Sequence, residues 1–485
     1  MKNGILFQAF EWYLPDDGGY YDDLCLKLDE LKEMGVTALW LPPVYKATGV
    51  NDVGYGSYDL YDLGEFDQKG SVRTKYGTKE QLKHLISEIH KREMSVYADV
   101  VLNHKAGADR AEKFQAVMVD ENDRNREVGD VHEIAGWTGF DFPGRGDTYS
   151  KFKWHHEHFS GVDFDNLTGT KAIFRIIGDN KGWNLGVSTE KGNFDYLMFA
   201  DLDLAHPDVK EELKIWALWF IDELGLDGFR MDALKHMDQA FLEEFFNFIR
   251  QEKGEDFYVL GEYWIKSEEE NSDFLDKINY RSQLFDVGLH FNLFEASKNS
   301  AGFDLRQVFD GSLLKSHPAL SVTFVDNHDS QTGQALESWV EPWFKESAYA
   351  LILLRQEGYP CIFYGDYYGT NGEPAPDFIR EKITCLSKLR KNFAFGAQDD
   401  YFQSPTCIGW LRQGDDEHPN KMAAVISTGD ADTIGMSVGQ GEAGKVYADY
   451  TGNSENKITI DEEGWGAFEV GPGSISVWME DGLEL

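Results

Sequence analysis

Short apolar, β-branched runs recur along this chain, and stretches with a hydrophobic period near 3.6 fill most gaps between them. The strand-like runs are 5–10 (ILFQAF), 36–42 (VTALWLP), 95–103 (SVYADVVLN), 226–232 (LDGFRMD), 258–263 (YVLGEY), 284–290 (LFDVGLH), 321–327 (SVTFVDN) and 361–366 (CIFYGD). Between the first two, Leu24, Leu28, Leu31 and Met34 share one helical face that stops at Gly35. After Thr78, a suitable N-cap, Leu82, Leu85, Ile86 and Ile89 form another such face. A third helix opens at Pro207 and closes at Gly225, and later helical patterns fit 238–253, 344–357 and 377–391. Strand alternating with helix predicts βα units, and eight such strands predict a closed, parallel (β/α)8 barrel in the α/β class.

Two stretches break the alternation. Roughly a hundred residues rich in Gly, Asp, His and Trp separate Asn103 from the helix near 208. That is too long for an ordinary connection, so 104–207 is expected to be an inserted subdomain on the rim. After about 395 the chain turns to short runs punctuated by Gly and Asp (CIGWLR, KMAAVIS, KITI, SISVWM), which predicts a small antiparallel β-sandwich over 396–485. The barrel is then assigned 1–103 and 208–395.

Four runs end in chemically useful residues: DVVLNH (99–104), GFRMDALKH (228–236), GEYW (261–264) and FVDNHD (324–329). Reaction sites of such barrels open at the C-terminal strand tips, and these tips carry Asp99, Asp232, Glu262 and Asp329. Splitting an acetal between sugars needs a proton for the leaving oxygen and an anion for the charge at the anomeric carbon. Asp232 and Glu262 end consecutive strands and can face one another; a carboxyl separation of about 5–5.5 Å would give a covalent, retaining double displacement. Asp329 adds a third acid, and three close carboxylates cannot all stay ionised, so one pKa should be driven up. Arg230 shares a strand face with Asp232 and could hold it anionic. A single strand-end acid is more often a helix cap or a lysine's partner; three on one rim beside Arg and His favour chemistry.

Charge narrows the partners. With 46 basic and 85 acidic residues the net charge is −39, which opposes nucleic acid and anionic membrane surfaces and leaves a neutral substrate as the natural expectation. No run approaches the roughly 18 apolar residues of a membrane span. The start MKNGILFQAFEWY, broken by Gln8 and Glu11, lacks a secretory core. Cys25, Cys361, Cys385 and Cys407 are too far apart for a metal knuckle; Cys361 and Cys385 fall in core-like segments, and buried free thiols suit a reducing cytoplasm. A trimmed secreted form given a new Met would begin the same way. In WHHEHF (154–159) the histidines His155, His156 and His158 lack a regular helical ligand spacing, so a hydrogen-bonded cluster is preferred to a zinc site.

The four segments, with QAFEWY, VGYGSYDLYDLGEF, FPGRG, DYLMFADLDLAHPDV and GWGAFEV, closely resemble the liquefying bacterial α-amylases of the retaining α-glucanase family, over nearly the whole chain. The resemblance implies endo-hydrolysis of α-1,4-glucans such as starch, glycogen or maltodextrins; a monomer is expected. It implies Asp232 as nucleophile, Glu262 as acid/base and Asp329 as transition-state stabiliser, with Arg230 orienting Asp232. His104 and His328 would bond the sugar at the reaction centre, Tyr55 would stack beneath it, and Lys235, His236 and Trp264 would line the leaving-group side. Trp12, Tyr13 and Tyr58 are further platforms or ordinary core. Asn103, Asp195, Asp201 and the His236 carbonyl would form a structural Ca²⁺ site, an oxygen-only set suited to that ion. Of the subgroup's adjoining metal cluster Asp163 and Asp203 persist, but Asn184 and Ala205 replace acids, so one strong site is expected.

Overall fold

The strand-like runs become eight parallel strands: β1 (Leu6–Gln8), β2 (Ala38–Leu41), β3 (Ser95–Val100), β4 (Gly228–Met231), β5 (Tyr258–Gly261), β6 (Gln283–Phe285), β7 (Ser321–Phe324) and β8 (Tyr359–Phe363). The computed structural model describes residues 3–372 and 378–485. Each strand pairs with its sequence neighbours, and β1 pairs with β8, so the sheet closes into a barrel. Register places the chemistry. Arg230 on β4 lies opposite Asp99 on β3, and Met231 lies opposite Gly261 on β5. Asp232 and Glu262, one residue further along each strand, therefore leave the sheet at the same level.

Local rules explain the helices. Thr78 and Gln81 exchange side-chain and backbone bonds in a capping box that starts Lys79–Lys91. Pro207–Leu224 begins with a proline that has no N–H to satisfy and ends at Gly225, whose φ of +70° is open to glycine. It buries Leu213, Trp216 and Phe220 completely. At about 1.5–3 kcal/mol per buried large side chain, this face supplies far more than the helix's own propensity.

Three elements depart from the sequence reading. The 284–290 run is a strand only through Phe285; Asp286 then accepts from Leu289 N and caps the helix Val287–Asn299. Likewise 361–366 splits, with the strand ending at Phe363 and a short helix over Tyr364–Tyr368. Apolar periodicity cannot separate a buried strand from a buried helical turn, and the cap decides. The helix expected between Leu24 and Met34 breaks into Tyr20–Cys25 and Leu28–Met34, leaving Leu26 largely in solvent. The expected start of the last helix, at 377, lies outside the described residues; the helix runs over Arg380–Phe393.

The long insertion folds as a six-stranded antiparallel sheet, ordered His104–Lys105, Ala200–Leu202, Phe159–Asp165, Thr170–Ile176, Arg110–Val119, His132–Gly139. Its edge begins right after β3, which sets the subdomain against the catalytic rim. The last segment forms a six-stranded antiparallel sheet and a two-stranded one, Asp432–Ser437 with Trp465–Val470. Ile434, Met436, Phe468 and Trp478 belong to the core these sheets share. All four cysteines are free; Cys361 and Cys407 are buried, whereas Cys385 is only half-buried, its thiol on the Tyr450 carbonyl. No helix among the described residues is long and apolar enough to cross a membrane.

Candidate active site

Arg230 organises the rim. Fully buried at the end of β4, it donates from Nη1 to Asp99 (2.9 and 3.1 Å) and Asp232 Oδ1 (2.6 Å), and from Nη2 to Glu262 Oε2 (3.1 Å). Three carboxylates thus share one guanidinium that cannot lose its proton. A buried surplus of negative charge must be relieved by protonation. Burial, then the nearby Asp232 and Asp329 charges, push Glu262 up to about 8 against the pull of Arg230. The same balance lifts Asp329 to about 7 and Asp99 to about 6, burial being the largest cause in each. Three of the strand-tip acids, rather than one, are therefore displaced upward.

Glu262 has an asymmetric environment. Oε2 accepts from Arg230 and from Ala233 N (2.9 Å), which leaves Oε1 as the oxygen to carry a proton. Ala233 adopts φ +55°, a left-handed conformation costing a residue with a Cβ roughly 1–2 kcal/mol. This kink right after Asp232 also lets Leu234 N reach the Glu262 carbonyl at 2.9 Å, tying the two acid-bearing segments together.

Tyr55 and His328 adjoin the acids, and the other expected residues are held by contacts of their own. Tyr55, His328 and Trp12 have nearly parallel rings, with centroids 5.2 Å apart for Tyr55–His328 and 5.8 Å for Tyr55–Trp12. His328 Nε2 lies 3.3 Å from Asp329 Oδ2. His104 bonds the Tyr55 carbonyl through Nε2 (2.9 Å), and its buried Nδ1 has no partner. Lys235 bridges Glu190 (3.2 Å) and the Trp264 carbonyl (3.3 Å), so Lys235 adjoins the backbone of Trp264, two residues beyond Glu262. His236 bonds the Phe194 carbonyl through Nδ1. Tyr58 is core, its hydroxyl on Asp109, and Tyr13 ties its hydroxyl to Thr332 and Gln334. Sequence reasoning passed over Gln8, fully buried with Nε2 2.9 Å from His328 Nδ1. A polar residue inside the apolar run of β1 was the available signal.

At the joint with the insertion, Asn103, Asp195 and Asp201 are all buried, and Asn103 contacts Asp201 at 3.3 Å. Burial raises Asp195 to about 7 and Asp201 well above the carboxylate range, and the charges that add to this are other carboxylates: Asp203 and Asp238 for Asp195, Asp195 and Asp203 for Asp201. Apposed buried oxygen donors of this kind fit a hard divalent cation. The neighbouring group is different. Lys181 places its ammonium 2.6 Å from Asp203 Oδ2, and Asn184 donates to Asp195 (2.8 Å). A protein-borne cation thus sits beside Asp203 itself.

Where the insertion meets the helix Pro207–Leu224, His158, His206 and Asp208 have potential ligand atoms within 4.8 Å of one another, a group that could coordinate a metal ion. His158 Nδ1 accepts from His155 N (2.9 Å) and His206 Nδ1 from Asp208 N (3.2 Å). Each neutral ring then carries its proton on Nε2, so binding a metal there would require giving up a backbone bond. His155 and His156 turn to Glu112 instead.

With this geometry in place, the comparisons are direct. Residues 5–417 match the family model for the alpha amylase catalytic domain, and 430–479 match the alpha-amylase C-terminal model. An alpha-amylase of Geobacillus stearothermophilus is 49% identical over 478 residues, covering 98% of this chain and 87% of that protein. A cytoplasmic alpha-amylase of Escherichia coli is 40% identical over 491 residues, covering 99% of both. The crystal structure of an Anoxybacillus alpha-amylase superposes with a TM-score of 0.67 at 20% identity, over 100% of this chain and 99% of that one, which supports the fold. The rim of carboxylates belongs to a glycosidase, and the chain is a member of the alpha-amylase family.

Proposed function

We propose that this enzyme cleaves internal α-1,4-glucosidic bonds of starch, glycogen or maltodextrins with retention at the anomeric carbon. The observation that carries the mechanism is the single Arg230 fork reaching both Asp232 and Glu262. Sharing one fork favours the separation of about 5–5.5 Å used by retaining pairs over the roughly 6.5–9.5 Å that admits water in inverting ones.

Glu262, protonated near neutrality, gives the proton on Oε1 to the glycosidic oxygen as the C–O bond breaks toward that oxygen. Asp232, with Oδ1 clamped by Arg230, attacks the anomeric carbon through Oδ2. Forming the ester removes the Asp232 charge, so Glu262 is easier to ionise and can take a proton from water. The water oxygen bonds to carbon, Asp232 leaves as carboxylate, and Glu262 is protonated again. Asp329 counters the positive charge of the oxocarbenium-like transition state. His104 and His328 bond sugar hydroxyls, Tyr55 offers its ring, and Lys235, His236 and Trp264 face the leaving chain; aromatic surface beside polar donors suits a sugar's apolar face and hydroxyl edge.

Asn103, Asp195, Asp201 and the His236 carbonyl would hold Ca²⁺, which would pin the insertion to the rim and take no part in bond cleavage. Residues 1–103 with 208–395, 104–207 and 396–485 are proposed as the three domains. A cytoplasmic location is proposed, supported by the near-complete coverage of the relative named as cytoplasmic, and a monomer is proposed with it. Incubation with soluble starch tests the activity. Rapid loss of iodine staining with mixed maltooligosaccharides is expected; slow release of glucose alone would contradict endo-cleavage.

A further inference from the structure

Behind the cleft runs a hydrogen-bond chain whose direction is set at its ends. Asp99, when ionised, only accepts, and it receives Trp40 Nε1 (3.0 Å), Arg230 Nη1 and the Tyr55 hydroxyl (2.9 Å). The one Tyr55 proton is thereby committed, so its oxygen can only accept from His328 Nε2, 2.6 Å away. Asp329 Oδ2, 3.3 Å from the same nitrogen, also needs a donor when ionised. Nε2 therefore bears a proton. Burial and the Arg230 charge both oppose a second proton on the ring, so Nδ1 is a lone pair. Gln8 Nε2 meets that lone pair at 2.9 Å, while Gln8 Oε1 is buried without a partner. The opposite amide setting would require Nδ1–H and turn the Nε2 lone pair toward Asp329. It would also draw the Tyr55 proton away from Asp99.

We propose that Gln8 is a positioning residue for hydrolysis, holding His328 as the tautomer protonated at Nε2 so that this N–H faces the sugar and Asp329. The role rests on the reading of His328 as a sugar-binding group. With the opposite tautomer, a lone pair would face sugar and carboxylate, and one hydrogen bond made near the developing charge would be lost. The charged or titratable groups facing His328 are Arg230, Asp329 and Tyr55; its remaining ring neighbours are Phe10, Trp12 and Trp40.

The test is long-range ¹H–¹⁵N correlation NMR of the full chain labelled at its 13 histidines, with His328 identified by its loss in His328→Gln. The native protein should show a pyridine-like Nδ1 and a pyrrole-like Nε2. Isosteric Gln8→Glu, whose carboxylate only accepts once ionised, should move a proton onto Nδ1 at alkaline pH, and Gln8→Met should leave the tautomers mixed. In both, kcat on maltooligosaccharides should fall about 10- to 100-fold with KM changed less, the worth of one hydrogen bond to a charged group. A native ring protonated at Nδ1 overturns the proposal, and needs no variant to fold. So does an unaltered tautomer with kcat within about twofold in both variants. A tautomer that switches while kcat and KM hold would remove the positioning role together with the assignment of His328 to the sugar. A native enzyme inactive on starch but wired as described would fault the functional reading alone.

Discussion

Replacing Glu262 by Gln makes the buried charge balance measurable. The folded site keeps the Glu262 proton up to about pH 8, whereas an unfolded chain releases it near the ordinary value of 4.5. Between those values the folded state binds the extra proton, so stability falls as pH rises through the window. Above about 8 the native enzyme bears the full cost of a buried anion. Each pKa unit corresponds to about 1.4 kcal/mol. Asp232 and Asp329 share the relief, and Gln keeps an acceptor for Arg230 and Ala233, so an observable gain of about 1–3 kcal/mol at pH 9 is reasonable. In a chain of this size that amounts to roughly 1–5 °C in melting temperature. The assay is differential scanning calorimetry of native and Glu262→Gln enzyme from about pH 5 to 9, with calcium fixed. The difference should be smallest near pH 5, grow steadily in the variant's favour through the window from about 4.5 to about 8, and level off above it. A difference that does not vary with pH would refute the reasoning, because it would place an ionised Glu262 in the folded site throughout. The activity of the native enzyme should fall on the same alkaline limb, as the acid loses its proton.

Other expectations follow from the same geometry. Asp232→Asn should lower kcat by roughly 10⁴–10⁶-fold while retaining folding and maltooligosaccharide binding by calorimetry; near-native turnover would remove Asp232 from its role. Chelation should lower the melting temperature, since an ion at about 100 times its Kd contributes about 2.7 kcal/mol to the native state. Asp195→Asn should weaken that dependence; an unchanged transition after complete metal removal would contradict the calcium assignment. Lys181→Met leaves Asp203 without its ammonium, so elemental analysis should find a single tightly held calcium in native enzyme, and the variant should melt lower even at saturating calcium. Two tightly held ions in the native enzyme would show that Lys181 does not occupy the neighbouring position.

Most of the barrel was legible because buried parallel strands are continuous apolar runs and their helices carry a clear period. The segment after Phe285 was not, since Asp286 ends a strand and caps a helix within one unbroken apolar stretch. The acids were visible as polar tips on such runs. Their common dependence on Arg230 was not, because it follows from the β3–β4–β5 register that sets Arg230 against Asp99 and leaves Asp232 level with Glu262. The lysine beside Asp203 was hidden for a similar reason. Residues 181 and 203 meet only through the fold of the insertion, so the missing acids were readable from sequence and the substitute cation was not.

The central claim is that Asp232 forms a covalent bond to the sugar while Glu262 handles the proton. Proton NMR of the first products from a maltooligosaccharide, recorded before mutarotation, reads this directly. New reducing ends in the α configuration are the predicted result. Products that first appear as β anomers would mean that water attacks from the opposite face, and would contradict the account.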